Sequence, residues 1–538
     1  MKVFFCRPSF KLATTFCLIG LAAASSPMES HADADLKLKI GIIQRFGDTK
    51  TDKLKLTPTS GDRLKLEFAV DDKPKTLVTA NPLELETVME TLPQPKVQEV
   101  LVLGDFRTFE TAEDDARNWR SQGIEVEVAQ PDGWQVWAKR EVYNSPLLRR
   151  LLLNSIEASA RKSPYKSPYL DTQILEQVPR VSWVVNGQRY SDNNLKITTT
   201  KNLVRVNDSE KASRNRLYAG NLNLQPNAYG TYSLINNVPL ETYLRGVVPY
   251  EIGTKAPGAS LEAQAIIART YALRNVRRFA VDNYQLCATT HCQVYQGLNG
   301  AAKTTDQAIA ATRGMVLTYN NELVDALYSS TTGGVTAFFS DVWNGEDRPY
   351  LRPVVDTAEN IWDLSAKSLA NEQNFRDFIS LKQGFNESTW NIFRWNKETS
   401  VEDITWHLQK FLRATKNPYA KFKSLEAMAI TKRSESGRIL EMAIKTDIGT
   451  FTLEKDEIRS AFAAPRSTLF YLQPLNKGTP KIWGYAFVGG GLGHGVGLSQ
   501  TGAQNLARLG WSSAKILQFY YPDTEIKVLG QGIQPNID

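Results

Sequence analysis

Residues 239–280 read PLETYLRGVVPYEIGTKAPGASLEAQAIIARTYALRNVRRFA, and the rest of the 538-residue chain is organised around them. The stretch joins an apolar, strand-like run, Tyr243 to Val248, to a Pro-Tyr-Glu turn and then a long helix. Pro249 and the Gly/Pro-rich segment 253–258 punctuate both sides of Glu251. Ser260 stands where a helix N-cap is expected, with Glu262 in the first turn at the positive end of the dipole. Leu261, Ala265, Ala268, Ala272 and Val276 recur at helical spacing and predict one narrow, apolar, closely packed face. Glu251 is therefore expected on a rigid turn between a buried strand and a buried helix. Desolvation there raises the pKa of a carboxyl group, as a general acid requires. An arbitrary turn glutamate is more often simply exposed. The surrounding residues separate the two readings.

The informative words are Leu240-Glu241-Thr242-Tyr243-Leu244, then Gly246-Val247-Val248-Pro249 followed by Glu251, then Glu262-Ala263-Gln264-Ala265 with Ala268-Arg269-Thr270-Tyr271-Ala272. A second block, GGGLGHGVGLSQTGAQNLARLGW, runs from Gly489 to Trp511 and leads into ILQFYYP, Ile516 to Pro522. Together they resemble the SpoIID family of bacterial cell-wall proteins, also called the amidase-enhancer or LytB domain. The resemblance implies an α+β, multidomain chain: a mixed, strand-rich core with packed helices, preceded by a small α/β module. It also implies a peptidoglycan lytic transglycosylase that cleaves MurNAc–GlcNAc strands to 1,6-anhydro-MurNAc ends. Such an enzyme needs one glutamate, because the muramyl 6-hydroxyl attacks instead of water, and the resemblance gives Glu251 that acid-then-base role. Its alternative is a non-catalytic peptidoglycan-binding protein that enhances a cell-wall amidase. Glu241 and Glu262 are the nearest rival carboxylates, read as preceding the strand and capping the helix.

Composition sets the outer limits. An apolar share of 42% and a charged share of 22% are those of an ordinary globular protein with room for two to four domains. The net charge of +7 suits an anionic wall or membrane surface without selecting one. No basic run interleaved with aromatics points to nucleic acid. Lys2, Arg7 and Lys11, the apolar stretch Leu12 to Ala24 and the Ala32-Asp33-Ala34 site predict a cleavable secretory signal over 1–34. The stretch is short for a membrane span. The expected location is the periplasm or cell wall of a bacterium, with no span in the mature chain.

Residues 35–162 are expected to form the N-terminal α/β region. Within it, 97–139 reads strand, helix, strand, turn, strand, with Gly123 ending the helix. Gly104-Asp105-Phe106, Thr111-Ala112 and Trp134-Gln135-Val136 there resemble half of a SPOR repeat, a module that binds peptide-free glycan. Residues 163–178, with two prolines among their first seven positions, read as a linker. The SpoIID-type domain follows over 179–530, carrying an inserted mixed subdomain at about 359–477.

Several further residues carry candidate chemistry. Ser330, Thr331, Thr332, Gly333 and Gly334 form a small polar loop suited either to a sugar groove or to an ordinary hairpin turn, and the resemblance favours the groove. Trp343 nearby either stacks on a sugar or fills the core. Gly491, Gly493, Gly495 and Gly497 alternate with Leu492, His494 and Val496 at strand periodicity, leaving one face bare. His494, Gly495, Ser499, Gln500 and Arg269 are taken as substrate-binding, with Ser499 also capping the helix that Gly510 ends. A Ser499–His494 hydrolase pair lacks a nucleophile elbow. Cys287, His291 and Cys292 would supply three ligands to a structural zinc, with Asp282 the nearest upstream donor. A Cys287–Cys292 disulfide is the rival, and no cofactor is required by the proposed chemistry.

Overall fold

The strand Lys37–Phe46 sets the architecture. In a computed structural model, which describes residues 36–49, 52–159, 167–208, 215–478 and 481–530, it runs antiparallel to Tyr232–Pro239, with Lys37 opposite Pro239 and Ile40 opposite Asn236. Its alternation sends Leu38 and Ile40 wholly into the interior. A seven-stranded sheet results, in the order Leu286–Cys287, Lys37–Phe46, Tyr232–Pro239, Asn221–Pro226, Leu195–Thr198, Leu64–Val70, Lys73–Thr79.

An eight-stranded sheet is built on Leu83–Phe106, a 24-residue strand accompanied antiparallel by Tyr169–Val185 from Leu85 opposite Trp183 to Val102 opposite Tyr169. Strands from both sides of residue 160 thus interleave in both sheets, and one apolar core extends from Leu38 to Tyr521. Described residues from Leu36 onward form one compact unit. The α+β fold is as expected, and its N-terminal and later strands share this core. Lys37–Phe46, Lys53–Pro58, Leu64–Val70 and Leu83–Phe106 each pair with a strand beyond residue 168, so the region is part of the core. Residues 169–178 of the expected linker are strand, and 160–166 lie outside the described residues, as does the expected secretory signal.

The elements expected over 97–139 are present: the end of Leu83–Phe106, the helix Phe109–Ser121, and the strands Val126–Ala129 and Trp134–Ala138. Thr108 caps the helix by accepting from the Thr111 amide, and Gly123, at φ +80, closes it.

The decisive stretch folds differently from its expected strand. Leu240–Arg245 is a helix, and Val248–Glu251 is a single helical turn with Pro249 near its start. Continuous burial of Tyr243, Leu244, Val247 and Val248 reads equally as strand or helix from sequence. Here Tyr243 packs on Tyr295, with ring centroids 4.8 Å apart. The long helix runs Gly258–Arg274 without a side-chain cap, and the Ser260 hydroxyl instead donates to the Pro257 carbonyl at 2.7 Å. Every residue from Ala263 to Leu273 is buried, so this is a core helix enclosed all round rather than on one face.

The inserted subdomain has its own core around Leu408, Met442, Ile444 and Phe487. Its sheet of Arg394–Ser400, Gly484–Gly490 and Phe470–Leu475 continues past 477, delivering the chain to the glycine-rich block. Among the described residues no helix is long and apolar enough to cross a bilayer.

Candidate active site

Glu251 ends its one-turn helix with the carboxylate turned into hydrogen bonds from three elements. Oε1 accepts from the Val294 amide at 2.8 Å and Oε2 from Gln500 Nε2 at 3.3 Å. The Tyr328 side chain supplies a third. Burial pushes the Glu251 pKa up, while these donors pull against it without cancelling the rise. Behind Tyr328 lies a relay: Gln293 Nε2 donates to the Tyr328 hydroxyl at 3.1 Å, and the Tyr243 hydroxyl donates to Gln293 Oε1 at 3.2 Å. Burial, then the Glu251 charge, holds the Tyr328 phenol well above its ordinary pKa, so it stays protonated as a donor. Tyr328 and Gln293 were not among the sequence candidates. Neither sits in a local pattern that marks it.

A cavity of about 450 Å³ opens on Glu251, a volume in the range of small-molecule sites. Ser330, His494, Gln500, His291 and Cys292 line it too, so the structure brings these expected residues together. Two further carboxylates line it, and each is held by an arginine. Glu110 pairs with Arg278, which also lies over the Phe109 ring at 4.4 Å, and Asp456 pairs with Arg459 at 2.8 Å. Trp343 packs at a tilt on His494 at 5.1 Å and is 6% exposed, so it fills the cavity wall.

Other expected residues serve the frame. Thr331 to Gly334 are buried, and the amides of Thr332, Gly333 and Gly334 all donate to the fully buried Glu387 carboxylate. The loop is a cradle for that carboxylate, not a sugar groove. Ser499 accepts from the Gly502 amide at 3.0 Å as the expected cap, but its hydroxyl donates to Glu387, leaving no nucleophile. Beside Glu387, Asp356 accepts from Tyr520 and Asn386 at 2.8 Å each, and burial together with Glu387 drives its pKa well up.

The expected strand through Gly491–Gly497 is broken into isolated bridges, Leu492 with Thr331 and Val496 with Ala337, because Gly491, Gly493, Gly495 and Gly497 all take positive φ. A Cβ on Gly495 would lie 2.2 Å from Arg438 Nη2, so Gly495 makes room for a buried guanidinium rather than a ligand. His494 Nδ1 accepts from the Val496 amide at 3.0 Å. Burial, then Arg459 and Arg438, drops its pKa to about 3, which keeps the ring neutral.

Arg269 is likewise removed from the substrate. It is wholly buried, forks onto both Glu241 oxygens at 2.8 and 2.7 Å, and donates to the Met315 carbonyl at 2.9 Å. This pairing also accounts for Glu241. Arg269→Ala leaves that largely buried carboxylate without its cation, with only the Gly314 amide as donor, so we expect a loss of about 3 kcal/mol in chemical unfolding. Glu262 accepts from the Ser513 hydroxyl at 2.9 Å, which ties two helices together.

Cys287 and Cys292 form a disulfide, with Cα atoms 5.7 Å apart. His291 is exposed, Asp282 is occupied by the Ala228 amide at 2.9 Å, and no cluster of three potential ligands occurs among the described residues. The donor set does not fit zinc. The disulfide fastens the loop that presents Val294 to Glu251. Cys287→Ser should cost about 2 kcal/mol by thermal unfolding, the closure entropy of so short a loop.

Residues 228–319 match the family described as stage II sporulation protein, SpoIID, so the chain carries a SpoIID/LytB-family domain. Residues 337–497 match a domain of unknown function. The chain is similar to the amidase enhancer of Bacillus subtilis (strain 168), 30% identical over 298 residues, which cover 53% of this chain and 40% of the enhancer. It is also similar to stage II sporulation protein D of the same organism, 25% identical over 307 residues, 54% of this chain and 75% of that one. An uncharacterized protein of Brachyspira hyodysenteriae is 25% identical over 302 residues, 55% of this chain and 68% of its own length. The chain thus spans less than half of the amidase enhancer.

Proposed function

We propose that the protein acts on the bacterial cell wall as a lytic transglycosylase, with Glu251 as its acid and base. One observation carries the reading. Among the described residues, Glu251 is the cavity-lining carboxylate not held by a cation, and its pKa is raised by burial. A protonated Glu251 gives its proton to the glycosidic oxygen as the bond to muramyl C1 breaks. The resulting carboxylate then removes the proton of the muramyl 6-hydroxyl, whose oxygen closes onto C1 to form the anhydro ring and regenerates the acid. Tyr328, Gln500 and the Val294 amide stabilise the transient carboxylate. His494, neutral and hydrogen-bonded, positions the loop.

A second reading rests on the similarity to a protein named amidase enhancer: glycan binding without cleavage, in support of a wall amidase. In either reading the protein works outside the cytoplasm on peptidoglycan strands. Muropeptide mass spectrometry after incubation with isolated sacculi decides between them. Anhydro-muramyl ends are the expected product; reducing ends or released peptides overturn the mechanism, and unchanged sacculi support the binder.

A further inference from the structure

We infer that the cleft contains a carboxylate subsite formed by Arg107 and Arg459, which reads an acidic group carried by the glycan itself. The inference rests on the glycan-cleft reading above and goes beyond it. Both residues line the cavity that Glu251 opens on, yet both lie outside residues 228–319. Arg107 comes from the N-terminal region, just ahead of the helix Phe109–Ser121. Arg459 comes from the helix Asp456–Ala461 of the inserted subdomain.

Arg107 is exposed, and among the described residues it has neither ion pair nor hydrogen bond. Its guanidinium lies over the Phe411 ring at 4.9 Å, a contact that holds the plane while leaving all five donors unspent. Arg459 spends Nε and Nη2 on Asp456, at 2.8 and 3.2 Å, and its Nη1 makes no hydrogen bond among the described residues. The Arg278–Glu110 pair on the same lining is internally neutralised. With Glu251 protonated, the three arginines of the lining exceed the carboxylates Glu110 and Asp456 by one charge, that of Arg107, and guanidinium donors suit a planar carboxylate.

Neutral N-acetylglucosamine units offer no such group. Muramyl units do, in one of two forms. A peptide-free strand carries the free lactyl carboxylate; a peptide-bearing strand has that group as an amide and presents the carboxylates of the stem peptide instead.

The test uses the full chain bearing Glu251→Gln, so that ligands bind without turnover, and titrates three probes: chitotetraose, a peptide-free muramyl tetrasaccharide and its peptide-bearing counterpart. Adding Arg107→Ala or Arg459→Ala should weaken at least one acidic probe about tenfold or more, the scale of a charged hydrogen bond, and leave chitotetraose unchanged. Arg107→Lys should recover part of the loss. The probe that responds identifies the lactyl or the peptide carboxylate. Equal loss for chitotetraose, or no loss for either acidic probe, overturns the subsite while leaving the cleft intact. Failure of the parent to bind any probe overturns the glycan reading itself.

Discussion

Glu251→Gln should stop release of anhydro-muramyl ends from sacculi, lowering turnover towards the upper end of the roughly 10²–10⁴-fold that general acid–base catalysis contributes. The substitution keeps the shape and can still accept from the Val294 amide, so glycan binding persists while the transferable proton is gone. Glu262→Gln is the control, since its carboxylate joins two helices away from the cavity lining. The same variant carries an independent signature in stability. The folded pKa of Glu251 is raised, so ionisation opposes folding and stability falls as pH rises through that value. Below the ordinary glutamate pKa of about 4.3 both states are protonated and the term vanishes. The Gln variant should match the parent near pH 3.5 and melt higher at neutral pH. Parent turnover should decline over the same rise. Anhydro product from Glu251→Gln at the parent rate rejects the single-acid mechanism.

A chain beginning at Val178 should not fold. It lacks Leu38, Ile40, Leu56, Leu66, Leu83, Leu85, Trp119 and Trp134, all at most 2% exposed in the shared core. Each such side chain contributes about 1.5–3 kcal/mol, and the sum reaches the whole stability of a typical domain, about 5–15 kcal/mol. The truncation also removes the partner strand of Tyr232–Pro239, just ahead of the helices bearing Glu251. Circular dichroism should show no cooperative transition. A folded, glycan-binding truncation would restore the two-module view.

The local parts of this molecule were legible because their causes are local. The turn that carries Glu251, the elements of 97–139 and the Ser499 cap all follow from spacing and end signals. What escaped notice depends on partners distant in sequence. Lys37–Phe46 reads as a strand, but nothing in it names Tyr232–Pro239 as its neighbour. The bare backbone of Thr332–Gly334 suits a carboxylate as well as a sugar, and only the fold brings Glu387 to it. Arg269 sits in a family word, yet burial against Glu241 makes it a strut. Tyr328 escaped because its partner Glu251 lies far upstream, on another element.

The bond between Gln500 and Glu251 joins residues 249 positions apart. At a synthesis rate of about 5–20 residues per second, roughly 10–50 s separate the appearance of the acid from that of its partner. For that interval the chain has its proton donor but lacks the His494 to Gln500 part of the cleft. Assembly order therefore acts as a timer: the hydrogen-bond set around Glu251 is completed only once residue 500 has been made.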